Sequence, residues 1–97
     1  EIRVGSLVID LARRAVTVDG ESIALKPKEF DLVAYLARHP GVVVSRDALL
    51  REVWGYAFPM DTRTVDVHIR RLRSAIEIAG KEDPIRTIRS VGYALDG

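Results

Sequence analysis

The chain has 97 residues, with 15 Lys and Arg against 14 Asp and Glu, two His, no Cys and a net charge of +1. That length holds one domain with a modest core, and 47% hydrophobic beside 30% charged residues is the balance of a folded soluble chain. The lack of Cys removes a disulfide framework, a thiol nucleophile and thiolate metal sites, and no apolar run approaches membrane-spanning length. No basic and apolar leader opens the sequence, so no secretory signal is expected. A total charge near zero does not by itself suggest nucleic acid.

Residues 1–25 read as a small antiparallel sheet of three or four strands. Leu7, Ile9 and Leu11 alternate with Val8, Asp10 and Ala12, and Val16 and Val18 alternate with Ala15 and Thr17. This is the period of a half-buried strand. Asp19-Gly20 is a tight hairpin signal, because both central residues of the favoured turn need positive φ. Gly5-Ser6 is a weaker turn signal between Ile2-Arg3-Val4 and Leu7.

At Lys26 the pattern changes. Pro27 suits the first turn of a helix, where its missing N–H costs nothing. From Phe30, the positions of Val33, Ala34, Leu36 and Ala37 fill an arc of about 160°, and Leu32 widens it. Such a helix packs on two sides. His39-Pro40-Gly41 ends it. Residues 42–44 form a short extended link, and Ser45 is an N-cap for a second helix over residues 46–53 with Leu49, Leu50 and Val53 inward. Gly55 and Pro59 mark a loop. Asp61 or Thr62 caps a third helix that runs to Ile78 and stops at Gly80. Ile85-Arg86-Thr87-Ile88 and Tyr93-Ala94-Leu95 then form a final hairpin around Arg89-Ser90-Val91-Gly92.

The third helix is the informative element. Val65, Ile69, Leu72 and Ile76 lie within about 60° of arc, a narrow stripe for the core. Arg63, Val67, Arg70, Arg71 and Ser74 point the other way, and Thr64, Asp66, His68 and Arg73 form the flanks. Residues 63–74 hold four Arg and one acid, and residues 84–95 hold Arg86 and Arg89 and no acid, whereas residues 1–60 are balanced. The near-neutral total is thus an average over a neutral scaffold and two basic elements. Arginine suits phosphate forks and guanine edges. A capped helix, a short connection and a basic helix follow the order of a helix-turn-helix, and an Arg at a hairpin tip suits a minor groove.

Other classes are weaker. His39 and His68 have no metal-ligand spacing, Asp47 and Glu52 are not a paired-carboxylate site, and no Gly-rich phosphate loop occurs. A protein-interaction module would use Trp54, Tyr56 and Phe58, but does not need four Arg on one helix. Aromatic stacking surfaces for RNA are missing from the strands.

The residues that carry a family resemblance are now in view. Trp54-Gly55, the run Asp61-Thr62-Arg63-Thr64-Val65-Asp66-Val67-His68-Ile69-Arg70-Arg71-Leu72-Arg73 and Thr87-Ile88-Arg89-Ser90-Val91-Gly92-Tyr93 resemble the DNA-binding effector domain of OmpR/PhoB-type bacterial response regulators. Glu29-Phe30-Asp31-Leu32 and Ser45-Arg46-Asp47-Ala48-Leu49-Leu50 add to it, and the resemblance runs from about Val4 to Leu95. Ser90 stands where many members have Gly.

The resemblance implies an α+β fold over residues 1–97: a winged helix-turn-helix with an N-terminal four-stranded antiparallel sheet, three helices and a C-terminal β-hairpin wing. It implies no enzymatic activity, no cofactor and no metal. Thr64, Asp66, Val67 and Arg71 would face base edges in the major groove. Trp54, Arg63, His68, Arg70, Arg73, Thr87 and Tyr93 would lie towards phosphates, and Arg89 would enter the minor groove. Gly55, Tyr56, Ala57, Phe58, Pro59 and Met60 resemble the segment that touches RNA polymerase. The further implied partners are double-stranded DNA with direct repeats, a second copy on that DNA, and the chain's own receiver domain, which this sequence does not contain. The expected setting is the bacterial cytoplasm, away from membrane. The chain is expected to be an isolated domain or a C-terminal fragment that begins after a linker.

Overall fold

The computed structural model describes residues 1–55 and 61–96. Four short strands come first: β1 (Ile2–Val4), β2 (Leu7–Asp10), β3 (Ala15–Val18) and β4 (Glu21–Ile23). They pair in chain order as an antiparallel meander, with Val4 opposite Leu7, Ile9 opposite Val16 and Val16 opposite Ile23. The turn between β3 and β4 has Asp19 and Gly20 at φ 51° and 80°, the left-handed pair that the Asp-Gly sequence predicts. Leu7, Ile9, Val16, Val18 and Ile23 are buried, so the period-two pattern turns one face of the sheet to the core.

The first helix, α1 (Pro27–Arg38), lies across the middle of the molecule and packs against α3, β1 and β7. Pro27 opens it, and the buried Glu29 carboxylate accepts the Lys26 N–H at 3.1 Å, which satisfies one donor at the helix start. Phe30, Leu32, Val33, Ala34, Leu36 and Ala37 are all buried, as a helix covered on two sides requires.

The expected link at residues 42–44 is more than a link. Val44–Ser45 forms a strand, β5, that pairs antiparallel with the last strand of the chain, Val44 opposite Tyr93 and Ser45 opposite Gly92. Ser45 then caps α2 (Arg46–Leu49), its Oγ accepting the Ala48 N–H at 3.1 Å. The expected single helix over 46–53 changes its winding after Leu49. Leu50–Trp54 is a π-helical turn, closed by Gly55 at φ 91°. The Lys28 amino group donates to the Val53 carbonyl at 3.1 Å and holds the end of that turn against α1.

The third helix, α3 (Arg63–Ile78), starts on the Asp61 carboxylate, which accepts the Arg63 N–H at 2.9 Å. It ends as Gly80 at φ 73° donates to the Glu77 carbonyl while Lys81 donates to that of Ile76. The wing strands β6 (Ile85–Ile88) and β7 (Gly92–Leu95) pair with Thr87 opposite Tyr93, so the second sheet has the order β5-β7-β6. Gly92 permits this: a Cβ there would sit 1.9 Å from the Val44 carbonyl oxygen. No helix among the described residues is long and apolar enough to cross a membrane.

Candidate nucleic-acid interface

The stripe of α3 faces inward as its spacing predicts. Val65, Ile69, Leu72 and Ile76 are at most 1% exposed. Arg63, Arg70, Arg71 and Ser74 are therefore exposed on the far side, with Thr64 and Val67 half-buried beside them. The four arginines of this helix are not equivalent. Arg63 folds back on Asp61, with Nη2 3.0 Å from Oδ2. Hydrogen bonds from the Arg63 side chain and then from its backbone hold the Asp61 carboxyl below the usual carboxylate range, and the same contact pushes the Arg63 guanidinium up.

Arg73 is tied to the wing. Its Nε donates to Asp83 at 2.8 Å, and its Nη2 donates to the Ile85 carbonyl at 3.0 Å and to Thr87 Oγ1 at 2.7 Å. The guanidinium also stands 5.8 Å from the centre of the Tyr93 ring. The remaining two helix arginines, Arg70 and Arg71, have no acidic partner among the described residues. Neither does Arg89, exposed at the turn of the wing. Next to it Ser90 holds φ 63°, a left-handed conformation that favours glycine.

Asp66 is the only acid on this face of α3, and it is doubly bound. Arg46 Nη2 lies 2.6 Å from Oδ2, and the Tyr93 hydroxyl donates to Oδ1 at 2.6 Å. One carboxylate thus joins α2, α3 and β7. Burial, reinforced by the hydrogen bond to Asp66, pushes the Tyr93 hydroxyl up to about 12. On the other flank Trp54 meets His68 edge to face, with ring centres 4.9 Å apart. His68 Nδ1 is 2.7 Å from the Thr64 carbonyl oxygen. A carbonyl only accepts, so Nδ1 carries the donated proton.

The expected site residues therefore gather on three connected elements. Trp54 and His68 form one edge, Thr64, Val67, Arg70 and Arg71 the centre, and Arg73, Thr87, Tyr93 and Arg89 the wing side. Arg46, Lys28 and Asp83, which set the positions of the others, escaped sequence reasoning. An acid such as Asp66 amid a basic face is the signal that a cation should be sought for it. Of the expected polymerase segment, Gly55 is described, while Tyr56, Ala57, Phe58, Pro59 and Met60 lie outside the described residues. Among the described residues no group of three His, Asp or Glu is placed to hold a metal ion.

This arrangement has a counterpart in known proteins. The profile of the family described as "Transcriptional regulatory protein, C terminal" matches residues 20–95. The chain belongs to that family. It is a family of transcriptional regulators, not of enzymes. The DNA-binding response regulator MtrA of Mycolicibacterium smegmatis is 48% identical over 94 residues, which is 95% of this chain and 41% of the relative. The chain thus spans about two fifths of the length of the curated relatives it matches. The crystal structure of the Klebsiella pneumoniae RstA DNA-binding domain, in complex with the RstA box, superposes with a TM-score of 0.83 at 41% identity, over 98% of this chain and 95% of that one. The response regulator DrrB, an OmpR/PhoB homologue of Thermotoga maritima, superposes with a TM-score of 0.83 at 38% identity, over 98% of this chain and 43% of that one. The family resemblance read from the α3 and wing motifs holds, and so does the fold it implies.

Proposed function

We propose that this chain binds double-stranded DNA sequence-specifically and serves as the output domain of a two-component response regulator in the bacterial cytoplasm, where it controls transcription. The observation that carries the reading is the set of exposed arginines Arg70, Arg71 and Arg89, which have no acidic partner among the described residues and span the outer face of α3 and the wing turn. On the same face Arg63 and Arg73 are held by Asp61 and Asp83, whereas these three, close together on α3 and the wing turn, are open to an external anion. The RstA domain bound to its DNA box, which shares this fold, supports the same reading.

In this reading α3 lies in the major groove, with Thr64, Val67 and Arg71 towards base edges and Asp66 at the margin. Arg63, Arg70, Arg73, His68, Trp54, Thr87 and Tyr93 line the phosphates on either side, and Arg89 enters the adjacent minor groove. One module covers a short site, so two copies on direct repeats, brought together by receiver domains, complete the assembly. RNA polymerase meets the segment from Gly55 to residue 60.

The test is anisotropy of a labelled random duplex titrated at several salt concentrations, followed by selection of bound sites from a random pool. About six neutralised phosphates give a steep fall of affinity with salt. Affinity that hardly moves between low and moderate salt would overturn the reading, as would a selected pool with no consensus.

A further inference from the structure

A duplex that holds α3 in its major groove and the wing in the next minor groove has one sugar–phosphate strand crossing between the two elements. A cleft of about 170 Å³ lies there, lined by Arg46, Asp66, Thr87, Arg89, Ser90 and Tyr93 among others. Asp66 is thus an acid on the path of a polyanion. Its charge is met by Arg46 at 2.6 Å. The Asp66 carboxylate is the only hydrogen-bond partner of the Arg46 side chain among the described residues, and the buried Arg46 Nε has none. A buried donor left unpaired is a cost that a side chain kept for packing alone would avoid. What the arrangement secures is a positive charge held on Asp66.

We infer that Arg46 is a positioning residue for DNA binding: it neutralises Asp66 at the floor of the cleft between α3 and the wing and so lets a backbone strand pass. The inference rests on the DNA-binding reading above. It assigns Arg46 the work of cancelling a repulsion, so removal of Asp66's charge must make Arg46 dispensable. The Tyr93 hydroxyl bond survives that change, because an amide oxygen accepts it as a carboxylate does.

The test uses the 97-residue chain and a random-sequence duplex, which excludes base readout. Four proteins are compared: unchanged, Arg46→Gln, Asp66→Asn and the double variant, each first checked for a cooperative thermal melt. The inference expects Arg46→Gln to lose about tenfold in affinity at low salt and to flatten the salt slope by about one unit. The double variant returns to within about threefold of the unchanged chain with its slope restored, and Asp66→Asn binds at least as tightly as the unchanged chain. A purely structural Arg46, or one that itself grips a phosphate, leaves the double variant as weak as Arg46→Gln, and that result overturns the inference. So does an unchanged affinity in Arg46→Gln. If the unchanged chain itself shows no salt-dependent binding, the DNA-binding reading falls and takes the inference with it.

Discussion

The Tyr93 hydroxyl and the Asp66 carboxylate meet at 2.6 Å and tie the last strand of the wing to the first turn of α3. The ring is buried, so the hydroxyl is the polar end of an otherwise apolar anchor. Tyr93→Phe keeps the ring and removes the bond. The expected loss of stability is about 1.5 kcal/mol, the low end for a bond to a charged acceptor, because Arg46 still holds Asp66. Denaturant unfolding of the two proteins measures it. The same bond has a pH window. The folded hydroxyl titrates at about 12, above its ordinary value of 10.0, so its protonated form is favoured by the fold. Its contribution is fully present below 10 and is lost as pH rises through 12. The difference in stability between the unchanged chain and Tyr93→Phe should therefore shrink across that interval.

Gly92 allows β5 to lie against β7. With the Val44 carbonyl oxygen 1.9 Å from the position of a Cβ, Gly92→Ala forces backbone apart rather than a flexible side chain. The expected cost is about 1–3 kcal/mol, and it falls on the β5 to β7 pairing first. Hydrogen exchange should show faster exchange at Ser45 and neighbouring wing amides while the N-terminal sheet keeps its protection. Uniform loss across both sheets would contradict a local effect.

Elements with strong local signals were legible in the sequence. The alternation of Leu7, Ile9, Val16 and Val18, the Asp19-Gly20 turn, the Val65, Ile69, Leu72 and Ile76 stripe and the Gly80 stop all act through contacts a few residues apart or through one repeating face. The two-residue strand β5 has no period to read, and its existence depends on a partner in the wing. The π-helical turn at Leu50–Trp54 keeps apolar residues where an α-helix would, so periodicity does not separate the two windings. In the site, the helical wheel placed Asp66 and Arg73 on the flank of α3 but not what stands opposite that flank. Arg46, Asp83 and Tyr93 reach them from other elements, and no spacing rule links such distant positions.

Arg70 and Arg71 are both exposed and without acidic partners among the described residues, yet the proposal gives them different work. Arg71→Ala should cost about 1–3 kcal/mol on the selected site and relax the preference at one base pair. Arg70→Ala should weaken selected and random duplexes alike and lower the salt slope by about one unit. Parallel titrations of both duplexes for each variant separate the roles. A site-selective loss for Arg70 with a uniform one for Arg71 would exchange the assignments.

Arg73 combines two functions that a single variant confuses. Its three hydrogen bonds, to Asp83, the Ile85 carbonyl and Thr87, fasten β6 to α3. Arg73→Ala removes them all and leaves the Asp83 carboxylate only the Ile85 N–H, at a cost of about 2–3 kcal/mol in stability. Arg73→Lys keeps the charge but cannot reproduce the fork. If Arg73 acts on DNA through the wing, Arg73→Lys should bind nearly as weakly as Arg73→Ala while its salt slope stays unchanged. Full binding by Arg73→Lys would make the charge, not the fork, the working part.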